Sequence, residues 1–117
     1  MAVQIQVAMI LFISTGSVPS IVNGISNTVL KRGESFNLTC VITGQPLMEV
    51  TWQKNGNALS TTDMMSISGF VRGEFYHTSL DFKSVRMGEN GNRYSCTANY
   101  PGVNIQAVST AQIQVVG

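Results

Sequence analysis

From Ser26 onward, apolar and polar residues alternate in short runs between Gly, Asn and Pro punctuation, and no stretch keeps the spacing of an amphipathic helix. Phe36, Leu38, Cys40 and Ile42 form one face of a run whose other face carries Asn37, Thr39 and Val41. Met48, Val50 and Trp52 share a face in the next run, and Lys54-Asn55-Gly56-Asn57 follows as a turn. A third strand holds Met65 and Ile67 and ends near Arg72-Gly73. In the run after it, Tyr76, Thr78, Leu80 and Phe82 point one way, with His77, Ser79 and Asp81 opposite. Beyond the loop Met87 to Asn92, Tyr94, Cys96 and Ala98 make the penultimate inward row. Tyr100-Pro101-Gly102 then turns the chain into a last strand with Ile113 and Val115 inward. This pattern predicts an all-β domain.

The two cysteines fall in inward rows of two different strands, where a sandwich brings its sheets to within about 10 Å. Two cysteines and one histidine cannot supply the four ligands of a closed zinc site, so a Cys40–Cys96 disulfide is the better reading. In the chain-entropy picture, closing a loop of this length contributes about 4 kcal/mol. That is a large share of the roughly 5 to 15 kcal/mol that holds a domain folded. A persistent disulfide also calls for an oxidising compartment, and therefore for secretion or display at the cell surface.

The start of the chain reads differently. Val7 to Ile13 is an unbroken apolar run followed by Ser14, Thr15, Gly16 and Ser17, which suit cleavage after Gly16 or Ser17. Residues 1–17 are expected to be a signal peptide, although the leading MAVQIQ lacks a basic residue. The run is too short to span a bilayer, which takes about 20 apolar residues. A rival reading rests on Val3 to Ala8 (VQIQVA), which nearly repeats Ala111 to Val116 (AQIQVV) and would be the last strand of a preceding domain; chance is the stronger explanation of so simple a pattern.

Of the 117 residues, those from 22 to 117 fit one domain. Charged residues make up only 11% of the chain and the net charge is +1, which offers no field for nucleic acid or an anionic membrane.

Three stretches now carry a resemblance to the immunoglobulin superfamily: FNLTC at Phe36 to Cys40, VTWQKNG at Val50 to Gly56, and RYSCTA at Arg93 to Ala98. Trp52 lies twelve positions after Cys40, as for a ring packed over the bridge, and Tyr94 stands two before Cys96, at the tyrosine-corner position. TSLDFKSV, Thr78 to Val85, looks like the family's fifth strand and places Leu80 with the core hallmarks. The resemblance implies an antiparallel Greek-key sandwich with one inter-sheet disulfide. The cysteine spacing favours an I-set-like member, with a variable-like member as the alternative; another disulfide-bearing sandwich is the structural alternative. The family's Asp-x-Gly-x-Tyr-x-Cys becomes Glu89 to Cys96 with one extra residue before the tyrosine, and the acid's expected arginine partner would be Arg72.

No chemistry finds a carrier. His77 is the only histidine, and as an outward strand residue it reads as solvated rather than as the base of a triad. The six carboxylates are scattered, without a pair suited to glycosidase or calcium chemistry. No phosphate-binding loop appears, so neither a cofactor nor an enzymatic activity is expected. Asn37-Leu38-Thr39 is an N-glycosylation sequon on an outward position, against the alternative of a chance match to the tripeptide.

The resemblance implies recognition of protein partners, including the same or related domains, by one module of a receptor or adhesion protein anchored outside this chain. The alternative is a freely secreted single-domain immune-type binder. The expected platform is the outward side of the strands holding Trp52, Cys96 and Val108. It presents Thr51, Gln53, Ser95, Thr97, Gln106 and Val108, with Tyr100 as a possible anchor in the adjoining turn.

Overall fold

The computed structural model describes residues 19–43, 48–100 and 106–117. The leader expected over residues 1–17 and the repeat at Val3 to Ala8 lie outside the described residues, as do Pro101 and Gly102 of the expected turn. In chain order the strands are β1 Ser20–Asn23, β2 Thr28–Lys31, β3 Phe36–Thr43, β4 Glu49–Lys54, β5 Asn57–Ala58, β6 Met65–Arg72, β7 Phe75–Phe82, β8 Arg93–Asn99 and β9 Gln106–Val116. They form two packed sheets, one of four strands in the order β1-β3-β7-β6 and one of five in the order β2-β9-β8-β4-β5. One 3-10 turn, Met87–Glu89, precedes β8.

The alternation of apolar and polar positions decides which way each strand faces. In β3, Leu38, Cys40 and Ile42 are buried while Asn37 and Thr39 are exposed; in β7, Thr78, Leu80 and Phe82 are buried. β3 and β7 pair antiparallel without a break from Phe36↔Phe82 to Thr43↔Phe75, so both inward rows meet the same core. β8 is the centre of the other sheet, and Tyr94, Cys96 and Ala98 face inward at 1% exposure or less. The turn after β4 is tighter than the four-residue stretch read from sequence. Lys54 pairs with Asn57 across a two-residue hairpin, with Asn55 at φ 51° and Gly56 at φ 86°. Two successive positive φ values are what a twisted hairpin needs, and Asn-Gly meets them with little strain.

Two features went unread in the sequence. Among the described residues the first strand begins at Ser20, and the leading segment is split between sheets. β1 pairs antiparallel with β3; the chain then crosses at Gly24 to Asn27 and β2 pairs with β9 in parallel. The sandwich is therefore not antiparallel throughout. A strand that changes sheets without reversing meets a neighbour running its own way. Gly24 permits the crossing, because a Cβ there would run into the side chain of Ser109, whose Oγ accepts a 3.0 Å hydrogen bond from the Ile25 N–H.

Candidate partner-binding faces

The core hallmarks come together in one arrangement. Cys40 on β3 is bonded to Cys96 on β8, with the Cα atoms 6.7 Å apart and both residues fully buried. Beside Cys40 in its sheet stands Thr78, and beside Cys96 in the other stands Trp52. The Trp52 Nε1–H donates to Thr78 Oγ1 at 2.9 Å, so a hydrogen bond crosses the sandwich alongside the disulfide. Leu80 is fully buried next to Leu38 in the same sheet. Thr78 was legible as inward but not as a partner of the indole; the available signal was a hydroxyl in an otherwise apolar row, one strand over from a cysteine.

At the lower end of β8 the tyrosine corner is closed by a side chain. The Tyr94 hydroxyl donates to Glu89 Oε1, and Asn92 Nδ2 donates to the same oxygen at 3.1 Å. Burial pushes the Tyr94 phenol well above its ordinary range, and the hydrogen bond and charge of Glu89 push it further. The cationic partner of Glu89 is Lys54 at 3.7 Å, not Arg72. Arg72 ends β6 in the four-stranded sheet, paired with Phe75, whereas Lys54 ends β4 directly beside Tyr94. The additional residue before the tyrosine is absorbed here: Asn55 Nδ2 donates to Asn92 Oδ1 at 3.1 Å, and the Arg93 N–H donates to Asn55 Oδ1 at 2.9 Å. The hairpin after β4 and the segment entering β8 are thereby tied together.

The expected platform is the outer side of the five-stranded sheet. Thr51, Thr97 and Val108 form one row across β4, β8 and β9, and Gln53, Ser95 and Thr110 form the next. Ser95 and Thr110 share a 3.1 Å hydroxyl contact. Thr97 does not face open solvent as expected: it is 8% exposed, because the central strand of the sheet is flanked on both sides. Val108 is 50% exposed, Thr51 and Gln106 are exposed, and Gln53 and Ser95 are half-buried. Tyr100 follows the end of β8 and is half-buried. No charged residue occupies the two rows.

The outer side of the four-stranded sheet carries the sequon residue Asn37, exposed and paired with Asp81. His77 is also on this side, but it is half-buried rather than solvated, and its ring stacks on Phe70 with centroids 4.8 Å apart and planes 5° apart. Among the described residues no group of three His, Cys, Asp or Glu side chains has a metal-binding arrangement.

Comparison with known proteins places this geometry. The family model for the immunoglobulin I-set domain matches residues 19–115. Human hemicentin-1 is 36% identical over 80 residues, 68% of this chain and 1% of hemicentin-1. Rat Roundabout homolog 1 is 32% identical over 97 residues, 83% of this chain and 5% of that protein. The chain thus spans only a small fraction of the curated relatives it matches. Among solved structures, the eight N-terminal immunoglobulin domains of Down Syndrome Cell Adhesion Molecule superimpose with a TM-score of 0.77 at 24% identity, covering 87% of this chain and 13% of that one. A complex of titin M10 with an obscurin-like 1 immunoglobulin domain gives 0.70 at 24% identity, covering 87% and 96%. With its two-sheet topology, inter-sheet disulfide and matched span, the chain belongs to the immunoglobulin I-set family.

Proposed function

We propose that this domain is an extracellular recognition module of a longer cell-surface receptor or adhesion protein, and that it meets protein partners through the outer face of its five-stranded sheet. The observation that carries this reading is the uncharged pair of rows on that face, with Val108 half exposed at the β9 side. A partner sheet can approach such a surface without stripping water from an ion, so its polar groups can be matched by hydrogen bonds at small desolvation cost. The role is binding rather than catalysis, in keeping with a family and fold that are typically non-enzymatic. The buried disulfide and the kinship to hemicentin-1 and Roundabout homolog 1 support an extracellular setting. A leader over residues 1–17 and a glycan on Asn37 belong to the same reading.

The test has two parts. Mass analysis of protein secreted by cells, before and after reduction and deglycosylation, is expected to show loss of the leader, one disulfide and a glycan. Protein retained inside the cell with both thiols free rejects the extracellular assignment. Partner capture from a library of displayed extracellular domains is then expected to fail for Val108→Glu and to persist for Asn37→Gln; equal capture by Val108→Glu rejects the face.

A further inference from the structure

Among the described residues β6 is an edge of the four-stranded sheet, with β7 on one side and no strand on the other. Its backbone polarity alternates. Met64 C=O accepts from the Lys83 N–H at 3.0 Å, which fixes the even-numbered residues as those bonded to β7 and turns the N–H and C=O groups of Met65, Ile67, Gly69 and Val71 outward. The chain itself covers the first half of this edge: the Thr62 N–H donates to Met65 C=O at 2.8 Å, and Thr61 Oγ1 accepts from the Ile67 N–H at 3.2 Å. Among the described residues no comparable cap reaches Gly69 or Val71. Phe70 and Val71, 58% and 57% exposed, stand on opposite sides of the sheet at this uncovered stretch. Edges are ordinarily blunted by charge, yet no charged residue lies between Met64 and Val71.

We propose that a second copy of this chain pairs with β6 in antiparallel register centred on Phe70, joining the two four-stranded sheets into one of eight strands. Symmetry and the caps select that register. A two-fold axis perpendicular to a sheet keeps each side chain on its own face, so the centre must be a residue facing its own copy. Centred on Phe70, Gly69 of each copy faces Val71 of the other, and the uncovered groups satisfy one another with four backbone hydrogen bonds. Centring on Gly69 or Ser68 engages Ile67, whose N–H is already bonded to Thr61. Centring on Val71 runs off the strand into the turn at Gly73, which has φ 64°.

The side chains agree with this register. The two Phe70 residues form a non-hydrogen-bonded pair, the closer kind, with Cα atoms about 4.5 Å apart. Each ring already lies on His77, so four aromatic rings would run across the two-fold. Arg72 falls opposite the partner's Ser68, and like charges do not face each other. On the same face the partner's Asp81 then lies two strands over, roughly 12 Å from Arg72 between Cα atoms by strand spacing. The contact is one strand wide and therefore weak for free monomers, but it gains strength by avidity when many copies are displayed together.

The test uses the secreted, glycosylated domain. Phe70→Cys places two thiols at the pairing centre, within the Cα separation a disulfide bridges, and is expected to give a covalent dimer under mild oxidation. Ser66→Cys, eight positions out of register with its own copy, is expected to stay monomeric under the same conditions. In sedimentation, wild type is expected to self-associate, and Phe70→Arg to lower the association constant by roughly thirtyfold or more, as loss of a central aromatic anchor does. Val71→Pro removes only an outward N–H and should weaken association with the β6–β7 ladder intact. Val108→Glu should leave self-association unchanged, which separates this edge from the face invoked above. Equal cross-linking of the two cysteine variants, a wild type monomeric at the highest attainable concentration, or self-association lost in Val108→Glu but kept in Phe70→Arg overturns the proposal.

Discussion

The indole N–H of Trp52 is hydrogen-bonded at 2.9 Å to the hydroxyl of Thr78, which in turn donates to the Ser68 carbonyl at 2.8 Å. The relay links β4 in one sheet to β7 and β6 in the other, next to the disulfide. A donor buried at 2% exposure has no water to turn to. Thr78→Val keeps the shape and removes the acceptor, so it is expected to cost about 1 to 3 kcal/mol, whereas Thr78→Ser should cost less. Urea unfolding followed by Trp52 fluorescence measures both; equal stabilities for the two variants would remove the relay from the account of the core.

Trp52→Ala is expected to cost about 3 to 5 kcal/mol through lost burial and the cavity left beside the bridge. The native emission should be blue-shifted and quenched by the adjacent sulfurs. A solvent-like emission maximum that does not change on unfolding would contradict the packing.

Removing the bridge acts mainly on the unfolded chain. Cys40 and Cys96 are 56 positions apart, so Cys96→Ala releases a long loop and is expected to cost about 2 to 5 kcal/mol. Denaturant midpoints of wild type and variant, with the yield of secreted protein, test this; a loss below half a kcal/mol would mean that the sheets hold without their staple.

Inward rows were legible in the sequence because period-two alternation is a local property. Cys40, Trp52, Leu80, Tyr94 and Cys96 all lie where that alternation places them. What escaped was set by neighbours distant along the chain. The parallel pairing of β2 depends on where β9 runs, and the choice of Lys54 over Arg72 for Glu89 depends on which strand ends beside Tyr94. Thr97 looks outward by parity and is buried by position, since strand order within the sheet is invisible to alternation. His77 was likewise outward by parity but covered by Phe70 across the strand pair.

The Tyr94–Glu89 contact implies an alkaline limit. Burial first, then Glu89, raise the Tyr94 phenol well above its ordinary value of about 10. Its folded pKa therefore lies above its unfolded pKa. The stabilising contribution is complete below about pH 10 and is lost as pH rises from there through the folded value. Tyr94→Phe should flatten this alkaline dependence while costing roughly 0.5 to 1.5 kcal/mol at neutral pH for the lost hydrogen bond. In a difference ultraviolet titration of wild type against Tyr94→Phe, the Tyr94 phenol should ionise only well above its ordinary range. A difference signal that titrates near pH 10 in folded protein would refute the assignment.

Two charge insertions on the outer face of the five-stranded sheet should behave oppositely although their residues are direct cross-strand neighbours, Thr97 and Val108. Thr97 is 8% exposed between flanking strands, so a glutamate there must force its carboxylate out past Thr51 and Val108 or remain partly desolvated. Val108 is 50% exposed, and a glutamate there can extend directly into water. Thr97→Glu is therefore expected to cost about 0.5 to 3 kcal/mol, and Val108→Glu to stay within about 0.5 kcal/mol of wild type. For a domain of this size each kcal/mol moves the thermal midpoint by roughly 4 to 8 °C, so calorimetry separates the two cases. Only a substitution that leaves the midpoint in place can report on binding through this face. If Thr97→Glu instead melts with wild type while Val108→Glu melts early, the exposed and covered positions of the face are reversed, and the binding test belongs at Thr97.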